Sequence, residues 1–297
     1  MRYLVVMLIG ALLLFGSRRQ LDFLFLPAEP ALWSVRDKDS TIYLFGTVHV
    51  LDGYTKWRTE KVNRALGASQ ELWVEVADAG DPSAMAQAVA PLVQRLAVDP
   101  SIRLSTRVPA ADWEALGAAA PMLGAKADDF EPLKPWAVAF MLDSIAVRDG
   151  GFQASLGADS LLVRLAREQG KPVHGFETAN GQIQMLANLP MEAQVQMLHS
   201  SLEGVSQGTF GLMALVRAWS RGDTTKLERL AVDPMRQESP AFYRALIVAR
   251  NEAWADKLED RLKGSGVSFV AVGAAHLIGP DSVQALLAKR HAAVRRE

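Results

Sequence analysis

The chain has 297 residues, 49% of them hydrophobic and 22% charged, with a formal net charge of -1 at pH 7. Its 32 Lys and Arg are offset by 33 Asp and Glu and spread along the chain, which speaks against a nucleic-acid surface. Cysteine is absent, so disulfides, thiolate metal ligands and a cysteine nucleophile are excluded, and His and carboxylates are the first-rank ligands left.

Residues 3–15 are almost unbroken apolar sequence, with Arg2 before them and Ser17-Arg18-Arg19 after. Thirteen residues is short for a bilayer-spanning helix and suits the core of a signal peptide. Residues 1–27 are therefore expected to be a signal peptide or an uncleaved membrane anchor. A buried first element of a cytoplasmic protein is the competing reading, and the arginine pair fits it awkwardly. Residues 32–297 are expected to form a single α/β domain with a mixed central sheet and helical insertions. A β-hairpin opens it: residues 32–35 and 41–45 have strand character and flank the polar turn Asp37-Lys38-Asp39-Ser40. Residues 56–66 read as a helix and Glu71–Val76 as a strand. Residues 82–147 have a helical period broken at Pro100, Pro121, Pro132 and Pro135. Residues 159–169 are an amphipathic helix stopped by Gly170, with Asp159 in the place of an N-cap. A short strand over 171–177 follows, then helix from 190 to 262 with breaks near Gly222 and Asp233-Pro234, a strand over 269–272 and a final helix over 280–290.

Two of these strands end alike. Phe45-Gly46-Thr47-Val48-His49 and Val272-Gly273-Ala274-Ala275-His276 each place a Gly-x-x-His just past a buried strand, and each is followed by a turn. The carboxyl edge of an open α/β sheet is where ligands gather. Glu75 and Glu177 also end strands, so two imidazoles and two carboxylates are offered to one edge. That donor set suits a borderline divalent cation such as zinc, manganese, cobalt or iron. A lone strand-end His more often caps the next helix; the matching pair of contexts favours function. His174, His199 and His291 read as edge or surface histidines, and Arg250-Asn251 falls in a helix, where Arg faces solvent unless that helix crosses a pocket. No phosphate loop, G-x-S-x-G or H-E-x-x-H is present.

The segment from Leu32-Trp33-Ser34-Val35 to His49-Val50-Leu51 resembles the opening of the TraB/GumN family, which includes the animal TIKI proteins. Val272 to Leu277 looks like that family's second Gly-x-x-His. Glu75, Gly157-Ala158-Asp159, Gly175-Phe176-Glu177-Thr178 with Gln182, and Arg250-Asn251 match its remaining motifs in order, over about residues 32–290. The resemblance implies a fold related to the erythromycin-esterase and ChaN-like proteins, and an activity like that of the TIKI proteins, which are metal-dependent proteases. The leader departs from the pattern, with arginines after its apolar run.

The reading that joins these observations is a membrane-anchored or exported metal-dependent hydrolase acting on a peptide or protein. His49 and His276 would hold the metal, or one of them serve as base; Glu75 and Glu177 would complete the coordination or activate water. Arg250 would steady an oxyanion or a substrate carboxylate, oriented by Asn251. The alternative is a non-catalytic pocket for iron, haem or a signalling peptide. A third reading, a structural scaffold, requires that the two histidines not share a cavity.

Overall fold

In the computed structural model, which describes residues 28–297, six strands form one mixed sheet in the order β4-β3-β5-β2-β1-β6. β1 (Leu32–Arg36) and β2 (Ser40–Thr47) pair antiparallel as a hairpin, Leu32 opposite Phe45. Asp37 fixes the turn: its Oδ1 accepts from the N–H groups of Asp39 (3.1 Å) and Ser40 (2.8 Å). β3 (Glu71–Val76), β4 (Val173–Glu177) and β5 (Gly266–Gly273) are parallel to β2, through the pairs β2–β5, β5–β3 and β3–β4. The chain is thus an α/β protein whose four parallel strands send their carboxyl ends to one edge.

β6 (Ala293–Arg296) adds an antiparallel edge next to β1, Trp33 opposite Arg296, beyond the final helix that the sequence pattern suggests. Ala-Val-Arg-Arg has no strand pattern of its own; it pairs because β1 otherwise presents an open edge of backbone donors and acceptors.

Helices cover both faces. The first face carries Phe45, Leu72, Val74, Phe269 and Ala271. It is packed by α1 (Glu60–Ala68) through Val62, Ala65 and Leu66, and by the Trp57 and Trp219 rings. α1 starts later than the apolar period suggests because Thr59 caps it, its side chain accepting from Val62 N–H. From β3 the chain enters α2 (Pro82–Ala97), then α3 (Ala110–Ala119) and α4 (Pro135–Asp149), with Pro121 and Pro135 each near the first residue of a helical turn. α5 (Ala158–Glu168) returns to the first face through Ala158, Leu162, Val163 and Ala166. α6 (Ala179–Ala187), α7 (Met191–Gln207) and α8 (Thr209–Ser220) follow β4. They build two satellite cores, one round Leu116, Phe130, Leu142 and Leu198, the other round Trp136 and Leu186.

Residues 224–248 form short helical turns, two of them wide π turns at Glu228–Val232 and Arg244–Val248. The second face carries Ile42, Leu44, Val270 and Val272 under α9 (Ala249–Leu262) and α10 (Val283–Lys289). α9 crosses that face at the level of the strand ends, so the Arg250 expected on a helix lies inside rather than in solvent. The leader expected over residues 1–27 lies outside the described residues. Among the described residues no helix is long and apolar enough to cross a membrane.

Candidate functional site

The parallel strands bring Glu75, Glu177, His276 and His49 to one edge, and α9 drives Arg250 into their midst. Glu75 is the next-to-last residue of β3 and Glu177 the last of β4. His276 lies in the tight turn after β5, and His49 follows β2 by two residues.

Arg250 is the centre of this group. Nε donates to Glu177 Oε1 (2.8 Å), and Nη2 to both Glu75 Oε2 (2.7 Å) and Glu177 Oε2 (3.0 Å). Nη1 donates to the Leu246 carbonyl (3.2 Å), in the π turn just before α9, and to His276 Nε2 (3.0 Å). A guanidinium has five N–H groups, and these five acceptors use them all. The role expected of Arg250 toward an oxyanion therefore has no free donor here; the group ties two carboxylates, an imidazole and a helix turn together. Gln182 Nε2 bridges Glu75 Oε2 (3.2 Å) and Glu177 Oε2 (3.1 Å), and Trp254 Nε1 donates to Glu177 Oε1 (3.0 Å). The Trp254 ring also lies 4.4 Å from that of His276 and 4.7 Å from the Arg250 guanidinium carbon.

Asn251 is fully buried and serves His276 rather than Arg250. Its Nδ2 donates to the carbonyls of His276 (3.3 Å) and Asp281 (2.8 Å), so its Oδ1 accepts from His276 Nδ1 at 2.6 Å. With Nδ1 protonated, the His276 Nε2 lone pair faces Arg250. Burial pushes His276 down to about 3, Arg250 and His49 adding to it against Glu75, so the ring is uncharged at neutral pH. Burial works to raise Glu75, but the charges of His276, Arg250 and His49 and the Gly273 N–H (2.7 Å to Oε1) hold its carboxyl far below the usual range. With His276 neutral, the cations facing Glu75 near pH 7 are Arg250 and His49.

His49 stands apart from the Arg250 cluster. Its Nδ1 meets Asp159 Oδ2 at 3.0 Å. Burial opposes a charged ring, yet the Asp159 carboxylate and its hydrogen bond, with Glu75 behind them, raise His49 to about 9. The side chain is 62% exposed, so water reaches the ring and the Asp159 pair is what sets its proton affinity. Asp159 is not the helix cap that its position suggested: Gly157 is the N-cap of α5, and Asp159, in the first turn, reaches across to His49. The crossing is close. A Cβ on Gly157 would lie 2.3 Å from the His49 carbonyl oxygen, so only glycine lets α5 begin there.

The two Gly-x-x-His units meet at Gly273. A Cβ there would lie 3.0 Å from Glu75 Oε1, 3.5 Å from His49 Nε2 and 3.6 Å from His276 Cδ2. Both imidazoles thus come within 3.6 Å of one point, His276 buried and His49 exposed.

The donor atoms bear on a metal. His276 Nε2 is engaged by Arg250, Glu177 by Arg250, Trp254 and Gln182, and Glu75 Oε2 by Arg250 and Gln182. His49 Nε2 and Glu75 Oε1 face common space at Gly273, two donors where a catalytic zinc takes three from protein. Among the described residues no group of three or more His, Asp or Glu is arranged to hold an ion. In this arrangement the strand-end residues surround Arg250 rather than a vacant point, and they do not fit a cation held by His49, His276, Glu75 and Glu177 together.

The other histidines lie elsewhere. His174 stacks on Trp73 (4.7 Å) and pairs with Glu71 (3.1 Å). His199 joins α7 to α3 through Asp112 (2.8 Å), and His291 is exposed in a left-handed turn (φ 68°). Trp254 had no motif to mark it, although its spacing from Arg250, one helical turn, is the kind that stacks a ring under a guanidinium.

Beside His49 a cavity of about 340 Å³ opens. Thr47, His49, Glu75, Asp159 and Gln182 supply its polar side, and Val74, Val76, Ala79, Pro82, Met85 and Phe140 much of the rest.

A sequence model described as the TraB/PrgY/gumN family matches residues 31–296, so the chain belongs to that family. The chain is similar to the uncharacterized protein YbaP of Escherichia coli (strain K12), 30% identical over 152 residues, which is 51% of this chain and 55% of that protein. The uncharacterized protein YbaP of Shigella flexneri matches to the same extent, so the alignment spans about half the length of these curated relatives. An uncharacterized protein of Treponema pallidum (strain Nichols) is 22% identical over 288 residues, 92% of this chain and 85% of that protein. No solved structure matches.

Proposed function

We propose that this member of the TraB/PrgY/gumN family is a hydrolase of peptide bonds in which His49, held by Asp159, activates water beside Glu75. The observation that carries this reading is the His49–Asp159 pair: Nδ1 is fixed at 3.0 Å and Nε2 is left facing the cavity and the point at Gly273. A water lodged beside Gly273, between Glu75 Oε1 and His49 Nε2, can donate to both. As the water oxygen attacks the scissile carbonyl carbon, its proton passes to the unprotonated Nε2. The same proton then moves to the leaving nitrogen as the C–N bond breaks, giving a carboxylic acid and an amine. A positioned base of this kind contributes about 10²–10⁴-fold. The elevated proton affinity of His49 makes the reaction faster at alkaline pH, where the ring is free to accept. Arg250, Glu177, Gln182 and Trp254 position Glu75; Asn251 and Arg250 position His276.

The metal-dependent form expected from the family, with manganese, cobalt, zinc or iron, is the second reading. It starts from the two donors left at Gly273, His49 Nε2 and Glu75 Oε1, and requires Arg250 to release Glu75 Oε2 and His276 Nε2. A bound cation would supply a water of lowered pKa. Incubation of the purified full chain with an unbiased peptide library, with chelator and with each of the four ions, tests both. Cleavage that persists in chelator supports the His49 reading. Cleavage that appears only with an ion supports the metal-held form. No cleavage in any arm, with tight retention of iron, haem or a peptide, supports a binding protein instead. For location, we infer that residues 1–27 lead the chain into or across a membrane; a reporter fused after residue 31 that stays soluble in the cytoplasm would overturn this.

A further inference from the structure

The cavity beside His49 is small, apolar-walled and poor in cations, and these three properties select a substrate. At about 340 Å³ it lies at the low end for ligand pockets, roughly 300–1,000 Å³, with room for one or two residues rather than a folded partner. Val74 and Val76 from β3, Ala79 and Pro82 beyond it, Met85 on α2 and Phe140 on α4 form the apolar walls. Among the described residues no Lys or Arg lines the cavity, and His49, its one cation, is already paired with Asp159 and faces Glu75, so an acidic side chain entering it would find no unpaired positive charge.

Two residues of the lining each carry a buried polar atom without a partner. Thr47 is 2% exposed and its Oγ1 has no partner, and Asp159 Oδ1 has none either, its other oxygen being given to His49. Both atoms are covered, so a ligand meets them as the Thr47 and Asp159 side chains turn toward it, and one that brings both an acceptor and a donor would satisfy the pair. A peptide group brings both. The carbonyl can accept from Thr47 Oγ1, and the N–H can donate to Asp159 Oδ1.

We propose that this cavity is the subsite for one uncharged, apolar side chain of a peptide substrate, with the neighbouring main-chain amide taken up by Thr47 and Asp159. The assignment rests on the hydrolase reading for the position of the cut, which falls within a residue or two of the apolar side chain. Phe140, 53% exposed at the rim, is the specificity-determining contact that can be changed without touching the core.

The test has a cleavage arm and a binding arm, both on the full chain. In the library, cut sites mapped by mass spectrometry should place Leu, Met, Phe or Val beside the cut, at kcat/KM at least about tenfold above Asp or Glu at the same place. Phe140→Lys puts a cation at the mouth and should shrink that ratio by improving the acidic peptides. In the binding arm, N-acetyl-phenylalanine amide and N-acetyl-aspartate amide are titrated while protein chemical shifts are read. The apolar amide should bind more tightly, and Thr47→Val should weaken it. Cleavage with no apolar preference, or with a ratio unmoved by Phe140→Lys, overturns the subsite and leaves the hydrolase reading standing. Absence of cleavage together with selective binding of the apolar amide keeps the subsite and removes the hydrolase. Equal binding of the two amides, or none, overturns the subsite whatever the cleavage arm returns.

Discussion

Replacing Arg250 with Met keeps the length of the side chain and removes the charge that joins β3, β4, β5 and α9. Arg250 is 9% exposed, and the change leaves Glu75 and Glu177 facing one another with Gln182 as their shared donor. Breaking one partner out of a buried ion pair costs about 3–5 kcal/mol, because the remaining charge is left desolvated and unpaired. The Leu246 carbonyl and His276 Nε2 lose their donor as well, which places the change toward the upper part of that range. A domain of this size loses roughly 2–4 °C of melting temperature per kcal/mol, so the melting point should fall by roughly 6–20 °C. Urea unfolding at pH 7, followed by circular dichroism, measures the cost directly. The triple change Arg250→Met/Glu75→Gln/Glu177→Gln should recover part of it, since the carboxylates no longer carry the unpaired charge. A loss below about 1 kcal/mol for Arg250→Met, the value of an exposed pair, would refute the view that these groups form one buried network.

The remaining expectations concern single groups. Glu75 is held low in the folded protein, so its contribution to stability is present above the unfolded carboxylate value of about 4.3 and is lost as pH falls through the folded one. Acid melting curves should therefore steepen below about pH 4, and Glu75→Gln should flatten them. His49 is raised to about 9, so its contribution is complete below the unfolded value of about 6.5 and lost as pH rises to 9. Asp159→Asn, which removes the first of the raising causes, should move the His49 titration seen by NMR down toward about 6.5; an unmoved titration would show that Asp159 does not set it. Gly157→Ala should cost about 1–3 kcal/mol, because the new methyl meets the His49 carbonyl at 2.3 Å, and a neutral result would mean that the His49 turn gives way freely.

How much of this was legible depended on whether a residue's role is set by its own strand. His49, Glu75, Glu177 and His276 follow apolar runs bounded by glycine or polar turns, and in parallel strands such positions share an edge, so spacing and pattern sufficed to group them. Arg250 was visible as a residue but not as a hub, because its role is set by α9 crossing β3, β4 and β5, a contact between segments 73 to 175 residues apart in sequence. Asp159 looked like a cap since it stands at the start of an apolar helix. Only the close approach of Gly157 to the His49 carbonyl shows that the helix begins one step earlier and that the carboxylate is free to cross. β6 was hidden for a different reason: an edge strand takes its shape from the neighbour it completes, and its side chains need no pattern. The wide turn at Arg244–Val248, which presents Leu246 to Arg250, likewise leaves no mark in the hydrophobic period.

Cleavage of the peptide library in ¹⁸O-labelled water at pH 9 compares the full chain with His49→Gln most directly. The wild-type protein should place one ¹⁸O in each new carboxyl terminus, and His49→Gln, shown to be folded at pH 9 by circular dichroism, should do so at least about 10²-fold more slowly. Equal rates in the two proteins, or no labelled product from either, would contradict the assignment of His49 as the base.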